Sequence, residues 1–395
     1  MAFQKLNLTQ AIEAPLQAVY RAFTTPNGWM DWLAHSSDVE PRVGGRLYVW
    51  DEKGNYAIGK YTALEENQRV AFDLLAPTPG HIEVKLAFSG NITSLSLEHS
   101  PLETPEPYQQ TENYWKQALD RLKTVLETGL DPRLYSRPML GVLISGMVDK
   151  ASRERLQHPL EYGILLGGTL PGMGAEAVGM REGDVLVALN GFAIQGYQAI
   201  GEVIGSLQAG DSVHAVWYRG KERHEADLAL SGRPHPHIPV TLAELAEEAR
   251  QIYASLDGEL AEILNGVPET RAEYRPAETE WNIKEILAHL ISTERAMQIW
   301  LINAIEGTSF NHWAASNHHI VKSLVDVYST LPELLTELRR AEGQTVALLQ
   351  RLPEDLVTHK GTFHNIVTTL NKEGLSVHTR LHFDTIKRLL EEAQK

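Results

Sequence analysis

The hydrophobic period of this 395-residue chain changes twice along its length. Up to about residue 129 the apolar residues mostly alternate, the period of a half-buried strand, and the segment ends in one helical stripe. Around Glu127–Pro138, "ETGLDPRLYSRP", this gives way to short strand patterns punctuated by Gly and Pro. Around Ser231–Pro239, "SGRPHPHIP", the strands give way to long helical periodicity. Prolines crowded into a linker disfavour both regular structures. One period cannot serve both a sheet and a helical bundle. The text therefore predicts three domains, at 1–129, 130–236 and 237–395, and a multidomain α+β class.

In the first segment Lys5–Ile12 reads as a strand, and Pro15 opens a short helix with Leu16, Val19, Tyr20 and Phe23 on one stripe. "HIEVKLAF" places Ile82, Val84, Leu86 and Phe88 on one sheet face. "EKGN" (Glu52–Asn55) reads as a hairpin turn. A final helix carries Trp115, Leu119, Leu122, Val125 and Leu126. An antiparallel sheet wrapped on one long helix is implied. The stretches "IEAPLQAVYRAFTTPNGWMDWL", "VGGRLYVW" and "YWKQALDRLKTVLE" resemble the START-like helix-grip (SRPBCC) superfamily, in the branch named after activators of a heat-shock chaperone ATPase. The resemblance implies a cavity for a small apolar ligand between sheet and helix. Trp29, Trp32 and Trp50 are the candidates to line it, although aromatics so placed are more often plain core.

The second segment carries "YGILLGGTLPGMGAEAVGMREGDVLVALNGFAI". It reads as a buried strand, a Pro-Gly turn, a short helix at Ala175–Val178 and a strand at Val185–Leu189. The turn at Asn190-Gly191 uses residues tolerant of φ > 0. A helix at Tyr197–Leu207 and a closing hairpin follow. This resembles a PDZ domain of the bacterial protease-associated type, a β-sandwich or barrel-like fold. The resemblance implies a groove for the C-terminal peptide of another protein. Leu140, Gly141 and Val142 of "RPMLGV" would present backbone N–H groups to the peptide carboxylate. Ile200, Val203 and Ile204 would shape the pocket for its last side chain. A PDZ fold used only as an internal spacer is the alternative. The chain has no Gly-x-Ser-x-Gly and no His-Glu-x-x-His, so proteolysis is not expected.

The third segment reads as a four-helix bundle with an extra short helix near His312–Val327. Asn282-x-x-Glu285 and Thr330-x-x-Glu333 are capping boxes. The stripe of one helix includes Ile286, His289, Leu290 and Met297; that of the last includes Leu375, His378, His382, Ile386 and Leu389. Thus histidines His289, His378 and His382 stand where apolar residues belong, and a buried imidazole without a partner is costly. A metal ion would satisfy all three; separate hydrogen bonds to backbone or carboxylate groups would also do so. "WNIKEILAHLISTER" and "LSVHTRLHFDTI" resemble the two signature stretches of the DinB/YfiT-like family. That resemblance implies metal ligands at His289, His378 and His382, with zinc, nickel or iron as the divalent metal. It also implies a metal-dependent hydrolase or a small-thiol transferase. No general base is evident beside the triad. A non-catalytic adaptor, binding ligand and peptide around a structural or vestigial metal, is therefore the second reading.

Composition narrows the partners. The chain has no cysteine, which removes disulfides, thiolate catalysis and Cys-based metal sites. The net charge of −15 disfavours nucleic acid and anionic membranes. From Ile238 onward 15 basic residues face 23 acidic ones. With no secretory h-region and no membrane-length apolar run, a cytoplasmic location is expected. The oligomeric state stays open.

Overall fold

The computed structural model describes residues 3–51, 54–76, 78–103, 106–277, 280–308, 314–371 and 374–393. By its contacts the chain divides into two compact units. One joins Met1–Gly129 with His237–Lys395; the other is Leu130–Pro236.

The N-terminal part of the first unit opens with β1 (Phe3–Ile12), α1 (Leu16–Thr24) and α2 (Pro26–Trp32). Then come β2 (Ser36–Val39), β3 (Arg46–Trp50), β4 (Tyr56–Glu65), β5 (Arg69–Ala76), β6 (Gly80–Ser89), β7 (Ile92–Glu103) and α3 (Glu106–Thr128). The seven strands form one antiparallel sheet in the order β1-β7-β6-β5-β4-β3-β2. The alternation in β6 sends Ile82, Val84 and Leu86 inward, onto Trp115, Leu119 and Leu122 of α3. Phe88, expected on that face, is 50% exposed, because it lies at the hairpin end of β6, paired with Thr93. Glu52 and Lys53 of the expected β3–β4 turn lie outside the described residues; the strands around them pair, Trp50 opposite Tyr56.

The remainder of this unit is helical: α8 (Leu242–Ile263), α9 (Glu269–Ala272), α10 (Ile283–Glu306), α11 (His318–Val327), α12 (Leu331–Leu349), α13 (Lys360–Leu370) and α14 (Leu375–Glu392). Both capping boxes are formed, Asn282 with Glu285 on α10 and Thr330 with Glu333 on α12. Gly307 ends α10 at φ 72°, the left-handed conformation glycine takes at little cost. His312 of the expected short helix lies outside the described residues, and α11 begins at His318. Helix α13 occupies a stretch that reads as loop. "GTFHNIVTT" has weak helix propensity, but Phe363, Ile366, Val367 and Leu370 bury one stripe and so hold it.

The two halves of this unit are tied together by polar bonds. Arg21 Nη2 donates to the Ile305 carbonyl at 2.6 Å, and Thr362 Oγ1 to Asp31 Oδ2 at 3.2 Å. Lys360 Nζ donates to the Glu127 carbonyl.

The second unit contains α4 (Pro132–Tyr135), β8 (Val142–Met147), α5 (Lys150–Leu156), β9 (Ile164–Thr169), α6 (Gly174–Ala177), β10 (Val185–Leu189), β11 (Phe192–Ala193), α7 (Tyr197–Ile204), β12 (Ser212–Arg219) and β13 (Glu222–Ala229). Its sheet runs β13-β12-β10-β9-β8, with β11 paired to β10. Asn190 and Gly191 take φ 48° and 80°, making the expected tight turn. Asp184, fully buried, accepts from Arg219 Nε and Nη2 at 2.8 Å each and from the Arg181 N–H at 3.0 Å. Among the described residues no helix is long and apolar enough to cross a membrane.

Candidate functional site

Helix α14 is amphipathic in an unusual sense. Val377 and Leu381 are exposed, while His378 and His382, one turn apart, face the bundle. Opposite them, His289 on α10 is 3% exposed. The three rings converge on their Nε2 atoms. His378 Nε2 lies 3.4 Å from His289 Nε2 and 3.2 Å from His382 Nε2.

The tautomer of His289 follows from its other nitrogen. Nδ1 lies 3.2 Å from the Ala315 carbonyl, which can only accept, so Nδ1 carries the proton and Nε2 presents a lone pair to the cluster. The Trp281 ring packs against this imidazole, centroids 5.0 Å apart. Burial pushes His289 below the ordinary histidine value, against the effect of the Ala315 bond. Burial lowers His378 as well, and burial with the other two rings takes His382 to about 4. All three are therefore neutral at pH 7, the state a metal ligand needs. Two nitrogens bound tetrahedrally to one ion at 2.0–2.1 Å stand roughly 3.3 Å apart, so the observed separations fit a shared ion.

Among the described residues, the other polar candidates are engaged or lie away from the triad. Glu285, one turn before His289, closes the capping box and pairs with Arg275 at 2.7 Å. His318 and His319 begin α11 and are exposed. His359 and His364 face the N-terminal half of the unit: His359 lies beside Arg21 and Asp31, and the His364 ring lies against Gly129. His235 and His237 are exposed, the latter 3.2 Å from Glu248.

A partly open pocket of about 580 Å³ lies between the sheet and α3. Trp29 and Trp50 line it. Trp32 does not; it is fully buried and stacks on Trp29, ring centroids 5.6 Å apart. Polar groups that the alternating pattern does not announce also reach the wall, among them Asp51, Arg121 and His99. His99 is 1% exposed, accepts from Trp115 Nε1 at 3.1 Å, and is lowered to about 4 by burial.

In the second unit, Gly141 takes φ 82°, and its carbonyl accepts from the Leu170 N–H, while that of Leu140 accepts from Ala175. Among the described residues the N–H groups of Leu140 and Gly141 meet no acceptor. Val142 starts β8, the terminal strand of its sheet, whose Leu143 and Ile144 are 46% and 45% exposed. On α7, Ile200 and Val203 are half-buried and Ile204 is buried.

Two family profiles match the chain. The one described as "Activator of Hsp90 ATPase homolog 1-like protein" matches residues 13–127, and the one described as "DinB superfamily" matches residues 251–382. A Marinomonas sp. (strain MWYL1) protein described as "Probable periplasmic serine endoprotease DegP-like" is 28% identical over 136 residues. That match covers 33% of this chain and 29% of the relative, so the chain spans under a third of that protein's length. Among solved structures, the Aha1 dimer from Colwellia psychrerythraea is 24% identical with a TM-score of 0.29, covering 31% of this chain and 96% of that one. CalU16 from Micromonospora echinospora is 25% identical with a TM-score of 0.28, covering 31% of this chain and 74% of that one. The chain thus carries an Activator-of-Hsp90-ATPase-homolog-like domain at its N-terminus and a DinB-superfamily domain at its C-terminus.

Proposed function

We propose that the helical domain holds one divalent metal ion through His289, His378 and His382 and acts as a metal-dependent hydrolase or small-thiol transferase. The convergence of three neutral imidazole nitrogens, 3.2 and 3.4 Å apart, carries this reading. With no cysteine in the chain, an all-imidazole set suits zinc, nickel or iron. When bound, the ion would supply Lewis acidity and lower the pKa of a water or thiol. The chain's own part is to fix the His289 tautomer through Ala315, to hold the rings neutral by burial, and to leave positions open beyond three protein ligands. Elemental analysis of untagged protein tests the proposal. About one equivalent of a single transition metal supports it, and metal-free protein that also fails to take up Zn²⁺ or Ni²⁺ refutes it.

One observation favours a binding adaptor as the second reading: the carboxylate nearest in sequence to His289, Glu285, is committed to its cap and to Arg275. A metal-loaded protein inert toward ester, amide and thiol-transfer substrates would favour it.

The other parts fit recognition in either case. The 580 Å³ cavity would take a small, mostly apolar ligand. The free N–H groups of Leu140 and Gly141, beside the edge strand β8, support capture of a peptide C-terminus, with Ile200, Val203 and Ile204 at the last side chain. The likeness to the DegP-like protein is in keeping with this PDZ reading of the second unit.

A further inference from the structure

Helices α8 and α12 are separated by a groove of about 360 Å³, away from the histidine cluster's ligand set. Glu342 on α12 lines it and is 7% exposed. Among the described residues no hydrogen bond or ion pair reaches the Glu342 carboxylate, whose oxygens are not sealed from solvent. Its acidic neighbours do have partners. Asp257 accepts from Arg339 Nε at 3.4 Å, and Glu294, behind the groove, accepts from Tyr253 Oη and Thr345 Oγ1 at 2.8 Å each. A buried carboxyl group without a partner is expensive, and side chains so placed ordinarily have one. Glu342 has none from the protein, and the groove is the side from which one could reach it.

The occupant should be a cation. Glu342 shares its surroundings with Asp257 and Glu294, while Arg339 is engaged with Asp257 and Arg250 pairs with Glu247. Burial first, then these two carboxylates, raises Glu342 to about 9 against the pull of Arg339, so at pH 7 the group holds a proton that a bound cation would displace. A bare metal ion fits poorly. The groups of three or more ligand atoms within 4.8 Å, among the described residues, are the histidine triad and His237 with Glu244 and Glu248, and Glu342 is in neither. The volume is also large for an ion, and the walls include the Tyr253 ring, Ala254 and Ala347. We propose that this groove binds a small organic cation, an alkylammonium whose charged head pairs with Glu342 and whose chain lies along the apolar wall of α8 and α12. The proposal is independent of the metal reading, since it shares no residue with the triad.

Gly343 offers a clean test. It lines the groove inside α12, and a Cβ built there meets nothing within 4 Å. Gly343→Leu should therefore fill the groove without disturbing the helix, and even favour it. Calorimetric titration of the full chain at pH 7 with n-butylammonium and 1,4-diaminobutane, against 1-butanol as the neutral control, is the experiment. Saturable one-to-one binding of an amine and none of the alcohol is expected, weakened at least fivefold by both Glu342→Gln and Gly343→Leu and unchanged in His378→Ala. Absence of saturable amine binding, equal binding of 1-butanol, a smaller effect of Gly343→Leu, or displacement of the amine by 1 mM Mg²⁺ would each overturn the proposal. Should Glu342→Gln fail to fold, Gly343→Leu decides alone.

Discussion

His378 Nε2 and His382 Nε2 stand 3.2 Å apart, one turn along the same helix, and only one of them can donate a proton to the other. With His289 Nε2 unprotonated as well, at least one lone pair in the cluster has no hydrogen to meet. The arrangement is poor as a hydrogen-bond network and good as a ligand set.

His378→Ala should accordingly strip the metal from untagged protein, because two imidazoles hold a divalent ion weakly. His319→Ala, at an exposed position on α11, should leave the content as in wild type. Elemental analysis of both variants, with a thermal melt to show that each folds, checks this. Equal metal in wild type and His378→Ala would remove the triad from the ligand set.

The histidine cluster was legible because two imidazoles one turn apart interrupt an otherwise apolar stripe, and a third does so on another helix. The capping boxes at Asn282 and Thr330 were legible for a similar reason, each being a local bond between residues three apart. Glu342 was not. Beside Arg339 and Arg340 in "RRAEGQ", it reads as one more charge on a solvated face, and only the packing of α8 reveals its burial. Helix α13 was hidden because its stability comes from the surface it covers and not from its own composition.

Buried Glu294 should make stability depend on pH. Burial, opposed by the bonds from Thr345 and Tyr253, raises its carboxyl to about 7 from an ordinary 4.5. The unfolded chain thus releases this proton before the folded one does, so stability falls as pH rises from about 4.5 to 7. The loss is on the order of 3 kcal/mol at about 1.4 kcal/mol per pKa unit. Glu294→Gln keeps an acceptor for Tyr253 and Thr345 while removing the ionisation. Its melting temperature should vary less than that of wild type between pH 5 and pH 8, which differential scanning calorimetry would show.

Asp184 is fully buried and depends on Arg219 for its charge balance. Arg219→Met should leave an unpaired carboxylate in the interior of the second unit and cost about 3–5 kcal/mol. The double variant Asp184→Asn with Arg219→Met should recover a good part of that. Urea unfolding of the three proteins checks the order; an Arg219→Met protein as stable as wild type would contradict it.

A peptide with a free carboxylate and an apolar last residue should bind the second unit, and its C-terminal amide at least tenfold more weakly, because only the free acid carries the anion that the Leu140 and Gly141 amides would hold. Fluorescence anisotropy with one labelled peptide in both forms makes the comparison. Equal binding would show that any association lies elsewhere.

The polar ties from Arg21, Asp31 and Glu127 to Ile305, Thr362 and Lys360 impose an order of events on a chain made from its N-terminus. The surface formed by α1, α2 and α3 bonds to Ile305, Lys360 and Thr362, all more than 170 residues past the end of α3. At about 5–20 residues per second, that surface stands uncovered on the ribosome for roughly 10–40 s while the second unit and then the bundle are translated. Through that interval Arg21, Asp31 and Glu127 lack the partners that join this part of the unit to the bundle.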